Sequence, residues 1–158
     1  MSISSHVILV ILAVVLQKTF APLFSIKSIT PDLVLIGVMA ISLQHGRVWG
    51  VLIGFSAGLL FDILGTEFVG LSSLSKSVAA YLAGFFGAER LERRSGGIIG
   101  FLFLVLFAHD CMYYSILSIG TPAGFWSTLF KQALPTAIYT LVFMIMIDLV
   151  WPKALWRK

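Results

Sequence analysis

Along residues 48–64, Gly50, Gly54, Gly58 and Asp62 recur at every fourth position in an otherwise apolar run. Residues four apart in an α-helix stack with about 40° of drift per step. The glycines then form a smooth groove that a second backbone can approach closely, and a carboxylate stands at its far end. Helices in lipid associate through small residues, and ionisable groups there face protein or water rather than acyl chains. This segment alone therefore predicts an integral membrane bundle. Gly50, Gly54 and Gly58 are candidates for close packing, either within the bundle or against a partner helix.

Composition points the same way. Of 158 residues, 59% are hydrophobic and 11% charged, with a mean hydropathy of +1.01, whereas a soluble domain carries roughly 25% charged residues. Six apolar segments can be drawn, at about 3–21, 32–44, 48–64, 71–88, 97–119 and 125–150. The expectation is an all-α integral membrane protein, a six-helix transmembrane bundle forming a single polytopic domain over 1–158 with no separate soluble module. No Lys or Arg precedes the apolar stretch 3–16 and no clear small-x-small site follows it, so it is expected to stay as the first helix. The second segment, 32–44, spans only about 20 Å, short of the ~30 Å hydrocarbon core. It must borrow flanking residues, thin the bilayer or shelter among neighbours. Pro31 suits the first turn of that helix. Pro135 removes an amide from the sixth and predicts a kink. Trp151, Pro152 and Trp156 read as interfacial anchors.

The net charge of +4 is better read by position. With six crossings, the side holding both termini carries Arg47, Arg90, Arg93, Arg94, Lys153, Arg157 and Lys158. The other side carries Lys18, Lys27, Lys76 and Lys131. The richer side should be cytoplasmic, so both termini are expected inside. Four crossings result if the short second segment and one other do not span. There is no basic face in water for nucleic acid. Cys111 is the only cysteine, which excludes an internal disulfide.

Polar residues inside the apolar segments carry the rest of the reading. Ser73, Lys76, Ser77, Ala80, Gly84 and Gly87 share one helical face, so Lys76 should turn inward, with Gly84 joining the packing positions. Asp62 and Lys76 lie near the same membrane boundary and are expected to pair. Asp110, about 14 Å into the fifth segment, and Lys131, near the start of the sixth, complete a set of four charges that sum to zero, unless Lys131 snorkels outward to the headgroups. Such a set either fixes helix register or lines a cavity for a ligand or proton. His109 and Asp110 are neighbours whose side chains leave a helix about 100° apart, so no shared metal site is expected, and His6 and His45 are too distant to help. His109 reads as a buried hydrogen-bonding group. No phosphate loop, nucleophile elbow or catalytic triad is evident, and no cofactor is expected. An intramembrane aspartyl protease built on Asp62 and Asp110 would need two carboxylates sharing a proton. Lipoprotein signal peptidases place asparagines beside theirs, and this chain contains none.

Several of these pieces together resemble the bacterial rod-shape-determining MreD family. They are Leu16-Gln17 ending the first helix, Pro31-Asp32-Leu33 opening the second, the run Gly54-Phe55-Ser56-Ala57-Gly58-Leu59-Leu60-Phe61-Asp62, and then Gly70 and Gly84. The resemblance covers nearly the whole chain and is sharpest from Gln17 to Gly87. It implies a non-enzymatic inner-membrane scaffold of the rod complex, or elongasome. Such a subunit binds MreC and works with MreB, RodA and penicillin-binding protein 2 in cell-shape maintenance and lateral peptidoglycan synthesis. It also implies a six-helix fold similar to the substrate-binding subunits of energy-coupling factor transporters, and a vitamin-binding role is the alternative. Those subunits often carry a small-xxx-small motif on the first helix. Here Gln17 follows Ala13 at that spacing, which counts against transport.

Overall fold

The computed structural model describes residues 3–26, 29–65, 68–90, 96–119 and 124–150. They form six helices: α1 (Ile3–Thr19), α2 (Leu33–His45), α3 (Arg47–Ile63), α4 (Leu71–Arg90), α5 (Gly96–Leu117) and α6 (Phe125–Val150). The expected anchors Trp151, Pro152 and Trp156 and the charged loop positions Glu92, Arg93 and Arg94 lie outside the described residues. The helices follow the predicted segments within a few residues. α1 stops earlier than expected, because Pro22 opens a separate 3-10 turn, Ala21–Phe24.

The short second segment is explained by its position. α2 is apolar on every side, and nine of its thirteen residues are buried, as befits a helix with no solvent or lipid face. Leu35, Ile36, Met39, Ala40 and Leu43 pack with α4, α5 and α6. Val34, Val38 and Ile41 pack with α1, α3 and α4 on the other side. Of the three routes open to a 20 Å segment, the chain takes shelter among neighbours. Asp32 caps α2, its Oδ1 accepting from Leu35 N–H at 2.8 Å, which satisfies one of the amides a helix start leaves unpaired. A single residue, Gly46, links α2 to α3. Its φ of +86° lies in a region that a side chain would strain.

The glycine ladder faces inward. Gly50, Ile53, Gly54, Ala57, Gly58 and Asp62 are the buried positions of α3, while Trp49, Leu52 and Phe55 are exposed on its other side. A Cβ at Gly58 would stand 2.4 Å from Ser73 Cα, and one at Gly54 2.9 Å from the Lys76 carbonyl oxygen. Gly50 is closed off by Ser42 of α2, and Gly84 of α4 lies against Arg47 Cα, where a Cβ would approach to 2.6 Å. Of the two roles left open for this groove, packing within the bundle is the one seen, with α4 and α2 of the same chain filling it. Ser73 Oγ–H donates to Phe55 O at 2.8 Å, and Ser42 Oγ–H donates to Ala80 O, so hydroxyls bridge where the backbones are close.

The outer surface is apolar. Ile11, Leu12 and Val15 of α1, Leu74 and Val78 of α4, and Ile138, Val142 and Met146 of α6 are all exposed. Two helices, Gly97–Leu117 and Phe125–Val150, are long and apolar enough to cross a membrane. In α6 the kink expected at Pro135 appears as a π-helical turn, Leu129–Ala133, in which Leu134 N–H donates to Leu129 O. A wider turn just before proline relieves the clash of its ring with the preceding carbonyls.

Substitution should separate crowded from open glycines. Gly58→Ala drives a methyl into the α4 backbone and is expected to cost about 1–3 kcal/mol, read as a lower melting temperature in detergent. Gly100→Ala, with nothing within 4 Å of the added carbon, should stay within about 0.5 kcal/mol of the parent.

Candidate functional site

Where the six helices meet, mostly polar side chains line a half-open cavity of about 120 Å³. α1 supplies Gln17, the approach to α2 supplies Thr30 and Asp32, and α3 supplies Phe61. Lys76 comes from α4, Thr136 from α6, and His109, Asp110, Tyr113 and Tyr114 from α5.

Gln17 ties the first helix to the start of the second. Its Nε2–H donates to Pro31 O at 2.9 Å, and its Oε1 accepts from Leu33 N–H at 2.6 Å. Asp32 N–H in turn donates to Thr140 Oγ1 at 3.2 Å, which brings α6 to the same point. Asp32 is then held at the cavity edge with one oxygen capping α2 and the other free for a cation.

That cation is Lys76. Its Nζ lies 2.8 Å from Asp32 Oδ2, with the two side chains 2% and 18% exposed. It also lies 5.1 Å from the centre of the Phe61 ring, where Lys18 Nζ approaches to 4.1 Å, both within range of a cation–π attraction. The expected Asp62–Lys76 pair is therefore corrected: Lys76 reaches Asp32 instead. Asp62 accepts from Gly70 N–H at 2.8 Å and from the amides of Ser72 and Ser73. It caps α4 from the end of α3. A carboxylate at a helix N-terminus meets both unpaired amides and the positive end of the helix dipole.

The four-charge cluster is corrected in a second respect. Lys131 is exposed on the π-helical turn and is not among the residues that line the cavity. The cavity instead joins Asp32, Lys76, His109 and Asp110, all but Asp32 nine-tenths or more buried. His109 Nδ1 and Asp110 Oδ1 are 2.9 Å apart. Consecutive side chains that leave the helix in different directions still meet here. Asp62 and Asp110 thus have separate partners and do not form a shared-proton dyad. Among the described residues no three His, Cys, Asp or Glu side chains are grouped to hold a metal.

Thr30, Phe61 and Thr136 were not foreseen as lining residues. Tyr113 and Tyr114, which the sequence left as either pocket walls or interior packing, line the cavity; they stand four residues after His109 and Asp110, hence on the same helical faces. The Tyr113 ring stacks on His109 with centroids 6.2 Å apart and planes at 8°. Tyr114 Oη lies 3.4 Å from Thr136 Oγ1.

The buried pair makes a sharp prediction. Lys76→Met leaves Asp32 without its counter-charge and should cost about 3 kcal/mol or more. Asp32→Asn keeps the cap but strands the ammonium, at a similar cost. The double variant should recover most of the loss, since both charges are gone. Thermal unfolding of the four proteins in one detergent reads the cycle.

No curated protein and no solved structure matches the chain. The model of one family, described as rod shape-determining protein MreD, matches residues 1–157. Gln17, Pro31, Asp32 and the segment from Gly54 to Asp62, which carried the resemblance, surround the cavity or pack the helices that build it. With essentially its whole length covered, the chain belongs to the MreD family of rod shape-determining membrane proteins.

Proposed function

We propose that this chain is a non-enzymatic scaffold subunit of the bacterial rod complex. In this reading it spans the inner membrane six times with both termini in the cytoplasm. It binds MreC and thereby helps couple MreB filaments to the wall synthases RodA and penicillin-binding protein 2. The observation that carries the reading is the family match over residues 1–157. Physical support comes from the apolar outer faces of α1, α3 and α6, which suit lipid and the helix of a membrane partner. The excess of Lys and Arg on one side, seven against four, supports the orientation.

With the glycine groove occupied by α4, a partner helix has to meet the outer surface. A vitamin-capturing role fits less well. Pockets for such ligands measure about 300–1,000 Å³, and the polar cavity here is about 120 Å³.

Single cysteines at the exposed positions Leu12, Leu52 and Val142, in a background with Cys111→Ser, test the partner. In-membrane crosslinking should give an adduct with MreC from at least one face and leave the others unreacted. Adducts from none of the three, together with failure of MreC to co-purify with the tagged chain, would overturn the scaffold reading. Loss of the chain should turn rod-shaped cells round, and its return should restore them.

A further inference from the structure

The residues that line the cavity stand toward the helix ends that face away from the α2–α3 turn. Gln17 and Phe61 are each two residues from the end of their helix, α1 and α3. Lys76 is five residues into α4, and Tyr113 and Tyr114 lie four and three residues before the end of α5. Thr136 lies about 16 Å along α6 from its start at Phe125. The hollow therefore reaches well into the bundle from one side.

A half-open space in a membrane bundle meets either acyl chains or water, and its walls decide which. Apart from the Phe61 ring, every lining side chain carries a polar group. Turned to hydrocarbon, such a wall is costly, so polar linings within membranes belong to water-filled cavities or to protein contacts. The faces that do meet lipid carry Ile11, Leu12, Ile138 and Val142 instead. Exposure is graded across the cavity. Thr30, Tyr113 and Tyr114 are partly exposed, and the Asp32 side chain keeps 18% of its surface against 2% for Lys76. His109 Nε2 and Asp110 Oδ2 are fully buried and lie beyond the accessible space. The volume of about 120 Å³ is several times the roughly 10–15 Å³ that one water requires.

We propose that the cavity is an aqueous inlet, open to water on the side of the membrane opposite the α2–α3 turn and ending at the Asp32–Lys76 pair. Water at the Asp32 carboxylate lowers the cost of holding a charged pair inside an apolar bundle. It also puts that pair within reach of water-sized hydrophilic solutes from one side alone. The inlet is defined relative to the turn, whichever side is cytoplasmic, and its test does not involve MreC. It and the scaffold reading can therefore fail separately.

Protection of single cysteines by silver ion tests it. In a background with Cys111→Ser, Thr30→Cys and Thr136→Cys report on the cavity. Val142→Cys reports on the apolar outer face, and Arg47→Cys on the side of the turn, where both parent residues are exposed. Silver nitrate, whose cation is close to water in size, is applied in chloride-free buffer to spheroplasts and to inverted vesicles. Cysteines left unreacted are then counted with a maleimide after denaturation. Thiolate is the reacting form and apolar surroundings suppress it, so the cavity cysteines should react roughly tenfold or more faster than Val142→Cys. They should do so from the face opposite the one at which Arg47→Cys reacts. Tyr113→Cys takes the place of Thr136→Cys if that variant does not fold. Cavity cysteines no faster than Val142→Cys would mean a space closed to water and would overturn the inference. Reaction from the same face as Arg47→Cys would overturn it as well, by placing the mouth at the other end.

Discussion

A lysine buried inside an apolar bundle must find an anion or lose its charge, and the rest of this fold is arranged around how Lys76 finds one. Its partner, Asp32, is not on a neighbouring turn but forty-four residues earlier, 2.8 Å away at the start of α2. Removing both charges from water is costly, and attraction offsets that cost only with close contact and further hydrogen bonds. Asp32 has those further bonds: it caps α2 through Leu35 and is anchored to α6 through Thr140. Gln17 fastens α1 to the backbone on either side of it. One ion pair thus fixes where four helices converge.

The glycines of α3 make that pairing reachable. The Lys76 carbonyl lies where a Cβ on Gly54 would stand, and the Ser73 backbone lies where one on Gly58 would stand. Without side chains at these positions α4 settles directly onto α3. Its inner face then points past α3 toward α2 and α5, and Lys76 lies over the Phe61 ring on its way to Asp32. Asp62 completes the contact by accepting the first amides of α4. Small residues, a trans-helix cap and a buried pair are therefore three parts of one joint.

The same joint leaves a polar space against α5. His109 Nδ1 and Asp110 Oδ1 lie within hydrogen-bond distance of each other, while His109 Nε2 and Asp110 Oδ2 are buried without a partner among the described residues. A membrane bundle whose task was packing alone would gain by filling this space with apolar side chains, as other parts of the same core do. Retaining a histidine, two aspartates and a lysine there concentrates the polar chemistry of the chain at one end of the bundle.

Much of the architecture was legible without coordinates. The six segments, the inward turn of Lys76 and the irregularity before Pro135 all follow from periodicity, from the cost of burying charge and from proline's missing amide, whereas the glycine face could equally have met a partner. Those are local properties, set by residues a few positions apart. Partner choice was not legible. Asp62 and Lys76 looked matched because both sit near one boundary, but depth in a membrane says nothing of the angle around a helix axis. Only the packing of α4 between α2 and α3 placed Lys76 by Asp32 and the α4 amides by Asp62. Lys131, expected in the same cluster, is exposed on α6, whereas Thr136 and Thr140 of that helix are buried. Sequence alone determined which residues had to be sheltered from lipid. Tertiary structure decided which of them meet, because contacts between distant segments depend on helix rotation and on close approach, and neither is encoded in spacing along a single helix.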